Sequence, residues 1–280
     1  MDTKVIQVNQ IGSIRLVDYM GSDKDITDAA RVSYGGDKVT KFYDDVRLLR
    51  YLMRNRHTSP FEMVETKWYV KCPIYVARQW VRHRTASMNE ISGRYTDMPV
   101  SEFFLPEELP KRPVSNKQGR ALAPVEDDTL RAKMMTLMRL SGQTYEEMMR
   151  HDVAPEIART VLPLATQTKF VWKTNLHNLM HFLALRSDPH AQKEIRQFAE
   201  QMMIIAEQQW PVSMQAFRDY VLEAVTLSRQ EKAAMAAAIR ALGGSDTFMS
   251  LIAQYSVLLG TEKTEFYDKI KQLLGETTTP

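Results

Sequence analysis

A single cysteine, Cys72, stands in 280 residues. One thiol excludes an internal disulfide framework and a cysteine-based zinc site, and it suits a reducing compartment. Long apolar runs are also missing. No stretch reaches membrane-spanning length, and Met1-Asp2-Thr3-Lys4 leads into no secretory apolar segment. The expectation is a cytoplasmic protein with no membrane partner. Charge of one sign is scarce too: the net charge of +3 is too small to argue for nucleic acid by itself. G-x-G-x-x-G is absent, which leaves the usual dinucleotide fold without support. Neither an internal repeat nor a low-complexity tract is present. With 44% hydrophobic and 25% charged residues, the chain reads as globular and long enough to bury a substantial core.

The periodicity mixes short strands with long helices. Lys4–Val8 and Ser13–Val17 read as strands, and Asp23–Val32 and Lys38–Asn55 as helices, the second with Phe42, Val46, Leu49, Tyr51, Leu52 and Met53 on a broad apolar face. From Val64 to Cys72 the residues alternate, with Val64, Thr66, Trp68, Val70 and Cys72 on one side, as in a half-buried strand. Pro73 suits the first turn of a helix running to about Arg82. Pro99, Pro106, Pro110, Pro113 and Pro124 mark a long loop. Helices are expected over Asp127–Arg150, Pro155–Leu162, Asn175–Arg186 and Pro189–Trp210, with Pro211–Glu223 continuing and a strand over Lys169–Thr174. The tail from Ser228 changes character: Ala233–Ala238 is strongly helix-forming and Gly243-Gly244 punctuates it. Residues 1–226 therefore read as one domain and 227–280 as a helical extension.

Within this frame one run carries the chemistry. Arg82-His83-Arg84-Thr85-Ala86-Ser87-Met88-Asn89-Glu90-Ile91-Ser92-Gly93-Arg94-Tyr95 is too polar for a core element and too mixed in sign for a solvated charge run. Arginine forks match phosphate or carboxylate, while Glu, Ser and Asn orient a heterocycle. The run reads as a site for a planar, anionic ligand such as a nucleotide, against the alternative of an exposed basic loop. It is expected to begin at a helix end and continue in a loop. Cys72, on the inward side of an alternating strand, reads as an inert thiol rather than a nucleophile.

The same run resembles the signature of the flavin-dependent thymidylate synthases. Companion segments match as well: Ala30-Arg31-Val32-Ser33, His57-Thr58-Ser59-Pro60-Phe61-Glu62, Ile74–Trp80, Ala158–Pro163 and Leu183–Gln192. The resemblance covers roughly residues 10 to 222. It implies an α+β fold, a small mixed or antiparallel sheet flanked by long helices, assembled as a homotetramer. It also implies reductive methylation of dUMP to dTMP, with 5,10-methylenetetrahydrofolate as carbon donor, NADPH as reductant and FAD as cofactor.

From the resemblance come residue roles. Arg186 is the catalytic candidate, a cation at the uracil edge favouring loss of the N3 proton. By position alone it suits equally a helix C-terminus complementing the macrodipole. The dUMP set is Gln79, Trp80, Arg82, Glu90, Ile91, Ser92, Gly93, Arg94, Arg159 and Arg186. The flavin set is Ser33, Ser59, Glu62, Arg82, His83, Arg84, Asn89, Glu90, Asn175, His177, His181 and His190. His177 and His181 stand where family members often carry Arg and Asn, which bears on cofactor affinity. His57 is available to line the nicotinamide or folate approach. The flavin is expected between subunits, residues of the first half of one chain meeting residues 159 to 190 of another.

Two rival readings are weaker on the residues. His177 and His181 have zinc spacing, yet Asn178 stands where H-E-x-x-H needs Glu, so no metal is expected. A nucleic-acid surface over Arg78, Arg82, Arg84 and Arg94 is interrupted by Glu90 and Asp97, so no nucleic-acid partner is expected.

Overall fold

The computed structural model describes residues 5–33, 35, 42–114, 119–253, 258 and 260–276. The chain divides into two compact units, Met1–Glu223 and Ala224–Pro280. The first is built on a five-stranded sheet: β1 (Ile6–Val8), β2 (Gly12–Met20), β3 (Glu65–Pro73), β4 (Ser87–Glu90) and β5 (Gln167–Asn175). Its order is β1-β2-β3-β5-β4, and every neighbouring pair is antiparallel. The fold is α+β, as the sequence implies.

Alternation explains the sheet. Thr66, Trp68, Val70 and Cys72 of β3 are buried on one side, and across the ladder Thr168, Phe170, Trp172 and Thr174 of β5 are buried with them. Buried hydroxyls in this layer are satisfied: Thr66 donates to the Thr174 carbonyl and Trp68 Nε1 donates to Thr66, both at 2.9 Å. A register shift between Leu16 and Asp18 leaves Val17 without a ladder partner on β3.

Helices cover the sheet. In chain order they are α1 (Asp23–Val32), α2 (Phe42–Arg54), α3 (Ser59–Glu62), α4 (Ile74–Trp80), α5 (Asp128–Arg150), α6 (Pro155–Ala158), α7 (Leu176–Arg186), α8 (Lys193–Gln209) and α9 (Pro211–Phe217). The strand expected from Lys4 and the helix expected from Lys38 begin outside the described residues, as does the Phe42 side chain. Ser22 opens α1 with a capping box, its N–H donating to Asp25 at 2.7 Å. Asp23 in the same turn accepts from the backbone of Val212 and Ser213 at 2.9 and 3.0 Å, tying α1 to the start of α9. Four fully buried tryptophans (Trp68, Trp80, Trp172 and Trp210) sit in the core with Phe170, Phe182, Phe198 and Phe217.

Two expectations need correction. The signature does not stay in a loop: Ser87–Glu90 forms β4 and pairs with Phe170–Lys173 at the sheet's edge. Three exposed polar residues around one half-buried Met88 make no apolar alternation, so only the long-range ladder reveals the strand. The helix expected from Pro189 starts at Lys193, because the Asp188 carboxylate accepts the His190 N–H at 2.7 Å and holds a turn.

The second unit contains α10 (Arg229–Ala241), α11 (Gly244–Ile252) and α12 (Thr261–Leu274). Ser228 and Glu231 form a capping box for α10. Its small core is Ala236, Ile239, Ile270 and Leu274, with Phe248, Met249, Phe266 and Leu273 packed against it.

Candidate active site

The end of α4 and the end of α7 bring together a hydrogen-bonded polar group in the first unit. Trp80, at the last turn of α4, drops into the core, where its ring lies 4.7 Å from Phe182 and 5.4 Å from Phe170. The indole is fully buried, so the ring of Trp80 belongs to the core, and only its neighbours in sequence are carried to the surface. His83 follows in the turn, its ring 4.8 Å from Phe182 in an edge contact. Arg186, the last residue of α7, donates from Nε to His83 Nε2 at 2.9 Å and from Nη2 to the Gln79 carbonyl at 3.1 Å. Nη1 makes neither bond. Arg186, Gln79 and His190 line a cavity of about 1850 Å³ bounded by α8 and by residues 104–113 and 119–124.

Electrostatics fix the protonation of this group. Burial, then the charge of Arg186 and a contribution from His181, lower the His83 pKa from 6.5 to about 4. The imidazole is therefore neutral near pH 7, with Nε2 accepting from Arg186. Because the folded pKa is depressed, this arrangement stabilises the fold above the ordinary imidazole pKa. The contribution is lost as pH falls toward 4. Burial also draws the Arg186 pKa below its ordinary value, and a guanidinium so far above neutrality stays charged.

The rest of the expected dUMP set is gathered elsewhere. A separate cavity of about 230 Å³ is lined by Glu90, Ile91, Gly93 and Arg159, together with Arg78 and Thr168. Thr168 donates to Glu90 at 2.5 Å, and the Ile91 N–H donates to the Lys169 carbonyl at 2.9 Å, so β5 sets the height of the strip. Gly93 is buried under Arg159: a Cβ there would stand 3.1 Å from Arg159 Cδ and 3.1 Å from Met98. Close approach, not a special backbone angle, requires the glycine. The Arg94 N–H donates to Ser92 Oγ at 3.3 Å, and its guanidinium lies 3.3 Å from Glu156 on α6. Arg82 is exposed and lines neither cavity.

The expected flavin residues divide similarly. Arg82 and Arg84 flank His83, both exposed, and neither has a carboxylate partner among the described residues. His181 is exposed with its ring 6.0 Å from His83, while His177 is half-buried one turn earlier on α7. Asn175 caps α7 by accepting from the Asn178 N–H at 2.9 Å, which gives its carboxamide a structural task first. Ser33, Ser59, Glu62 and Asn89 are exposed on α1, α3 and β4. His190 is exposed and donates from its backbone and Nδ1 to Asp188 at 2.7 and 2.9 Å. Among the described residues no group of three or more His, Cys, Asp or Glu could hold a metal ion.

Cys72 is wholly buried in β3, and burial, then the charge of Glu90, pushes its thiol far above the usual range. The larger cavity also contains residues that sequence reading missed: Tyr75, Arg120, Gln192 and Glu194. One signal existed. Glu194 falls on the apolar stripe of α8, four residues before Phe198 and eight before Met202, so it is an acid in a core position.

A neutral imidazole, a guanidinium held by two bonds and two exposed arginines without carboxylate partners among the described residues define an α+β protein whose site suits a flat, anionic ligand. Comparison with known proteins places the chain in a family. The family described as "Thymidylate synthase complementing protein" matches residues 15–212. A flavin-dependent thymidylate synthase of Thermus thermophilus is 48% identical over 231 residues, spanning 82% of this chain and 84% of its own. One from Treponema denticola is 42% identical over 274 residues, spanning 96% of this chain and 97% of its own, so that similarity extends into the second unit. The UMP/dUMP methylase PolB from Streptomyces cacaoi, bound with 5-Br dUMP, has a TM-score of 0.69 at 33% identity, covering 77% of this chain and 98% of that one. This chain belongs to the flavin-dependent thymidylate synthase family.

Proposed function

We propose that this protein makes dTMP from dUMP. The methylene of 5,10-methylenetetrahydrofolate and a hydride equivalent from NADPH together become the new methyl group, and tetrahydrofolate is released. The observation that carries the reading is Arg186 and Gln79 facing the large cavity, with His83 bonded to Arg186, while the single cysteine is buried within β3. Release of tetrahydrofolate means the folate is not oxidised, so the two reducing equivalents come from NADPH, and a bound FAD would supply that hydride chemistry. The residues present fit such a group. Arg82 and Arg84 offer uncompensated positive charge to a pyrophosphate, and the neutral His83 ring offers an edge or face to a flat heterocycle. The proposed flavin residues are those twelve given by the resemblance, with Asn175 contributing beside its capping role.

For dUMP, Arg186 stands at the pyrimidine edge as a preorganised cation, and Arg159, Ser92 and Gly93 take the phosphate side. Gln79 and Arg186 line one cavity and Glu90, Ile91, Gly93 and Arg159 another. The reading includes assembly as a homotetramer, in which one protomer's half-site would face another's. The synthase domain is placed at residues 1–226, and the extension 227–280 has no assigned chemistry.

Incubation with dUMP, methylenetetrahydrofolate, NADPH and FAD should yield dTMP, and dUMP should shift the protein-bound flavin absorbance. Product formed equally well without flavin, or no product with all four present, would refute the reading. Cys72→Ala tests the missing nucleophile separately. Turnover per folded enzyme should stay within about twofold of wild type, with a stability loss on the order of 1 kcal/mol from the lost burial and cavity. A folded variant without turnover would restore a cysteine mechanism.

A further inference from the structure

Behind Gln79 lies a chain of hydrogen bonds that the signature does not include. The Glu194 side chain is only 4% exposed, yet it is a carboxylate. Arg120 Nη2 donates to Glu194 Oε2 at 2.5 Å, and Gln192 Nε2 donates to the same oxygen at 2.9 Å. Gln192 Oε1 in turn accepts from Gln79 Nε2, and the Gln79 carbonyl accepts from Arg186. Burial works against the Glu194 charge, but it is outweighed by bonds from Arg120 and the Glu194 backbone, by the Arg120 charge and by Gln192. The carboxyl lies below its ordinary pKa.

An ionised carboxylate only accepts hydrogen bonds. Gln192 must therefore turn its NH2 to Glu194 and its oxygen to Gln79. Gln79 must answer with its own NH2, which leaves Oε1 as the atom free to meet a ligand. Each amide orientation follows from the charge at the head of the chain. Arg186, a donor without acceptor capacity, bonds the backbone carbonyl of the same residue and lines the same cavity.

We infer that Arg120, Glu194 and Gln192 form a positioning relay that fixes the Gln79 carboxamide with its oxygen toward the cavity. The site thereby selects a pyrimidine edge carrying an N–H next to a carbonyl, as in uracil, over one carrying a lone pair there, as in cytosine. This inference rests on the dUMP reading above. A polar site that rejects the mismatched edge does so by leaving a buried acceptor unpaired.

The test uses the full chain with FAD bound and dUMP and dCMP as probes, read by the flavin absorbance shift. Wild type should prefer dUMP by on the order of a hundredfold. Gln192→Leu leaves the Arg120–Glu194 pair intact, so the fold is preserved while the relay is cut. It should reduce the dUMP to dCMP preference about tenfold, and Glu194→Gln should do the same by allowing either amide orientation. In a Gln79→Ala background, Gln192→Leu should have no further effect on preference. Full discrimination retained in Gln192→Leu, or an equal further loss in the Gln79→Ala background, would overturn the relay alone. A wild type indifferent to dUMP would overturn the nucleotide reading and the relay's selectivity with it.

Discussion

Arg186→Ala is expected to reduce dTMP formation on the order of 10²–10³-fold or more while FAD remains bound. The argument starts from where the guanidinium sits. Nε and Nη2 are committed to His83 and to the Gln79 carbonyl, so the charge is held rigidly before any ligand arrives. Half-burial strengthens its action on negative charge that develops in the pyrimidine, since the screening of bulk water is reduced. His83 is neutral and accepts the Nε bond, which keeps a second positive charge away from the first. Arg186→Lys should recover little, because an ammonium cannot span both acceptors with a planar fork. Single-turnover assays at saturating dUMP separate the effect on chemistry from that on binding. Near-normal turnover in Arg186→Ala would assign the residue to the helix end, where its position also complements the macrodipole.

The sequence shows its strongest structural signals where one face is buried. β3 was legible because Thr66, Trp68, Val70 and Cys72 alternate with polar residues, and the observed burial follows that alternation. α1 keeps the limits that its Ser22–Asp25 cap sets. β4 was not legible. It is held by its ladder to β5, far along the chain, with Met88 as the apolar side chain it packs against the core. Trp80 shows the converse limit. It stands in a segment matching ligand-binding residues, but helical geometry turns its ring inward while Gln79 reaches the cavity. Arg120 and Glu194 were hidden for a third reason. They are separated by 74 residues, and Arg120 belongs to a proline-marked loop without periodicity, so only the tertiary fold brings the pair together.

The two cavities lead to the second large effect. Residues expected around one nucleotide line two separate openings in a single chain: Gln79 and Arg186 in the larger, Glu90, Gly93 and Arg159 in the smaller. Were each chain to act alone, that separation would leave neither opening with both the pyrimidine-edge cation and the phosphate-side arginine. Under the assembly reading, one protomer's larger cavity meets another's smaller one, and the site is whole only at the interface. Arg159→Ala and Arg186→Ala should then each be nearly inactive as pure proteins, yet restore one another when mixed. Random assembly of equal amounts gives about a quarter of the sites both native arginines, and about a quarter of wild-type turnover should return after subunit exchange. Arg159 lies over Gly93 rather than in the core, so its replacement should leave assembly intact. Activity measured before and after exchange, with size-exclusion profiles unchanged, decides the matter. No recovery in verified hybrids would place both arginines of a working site on the same chain.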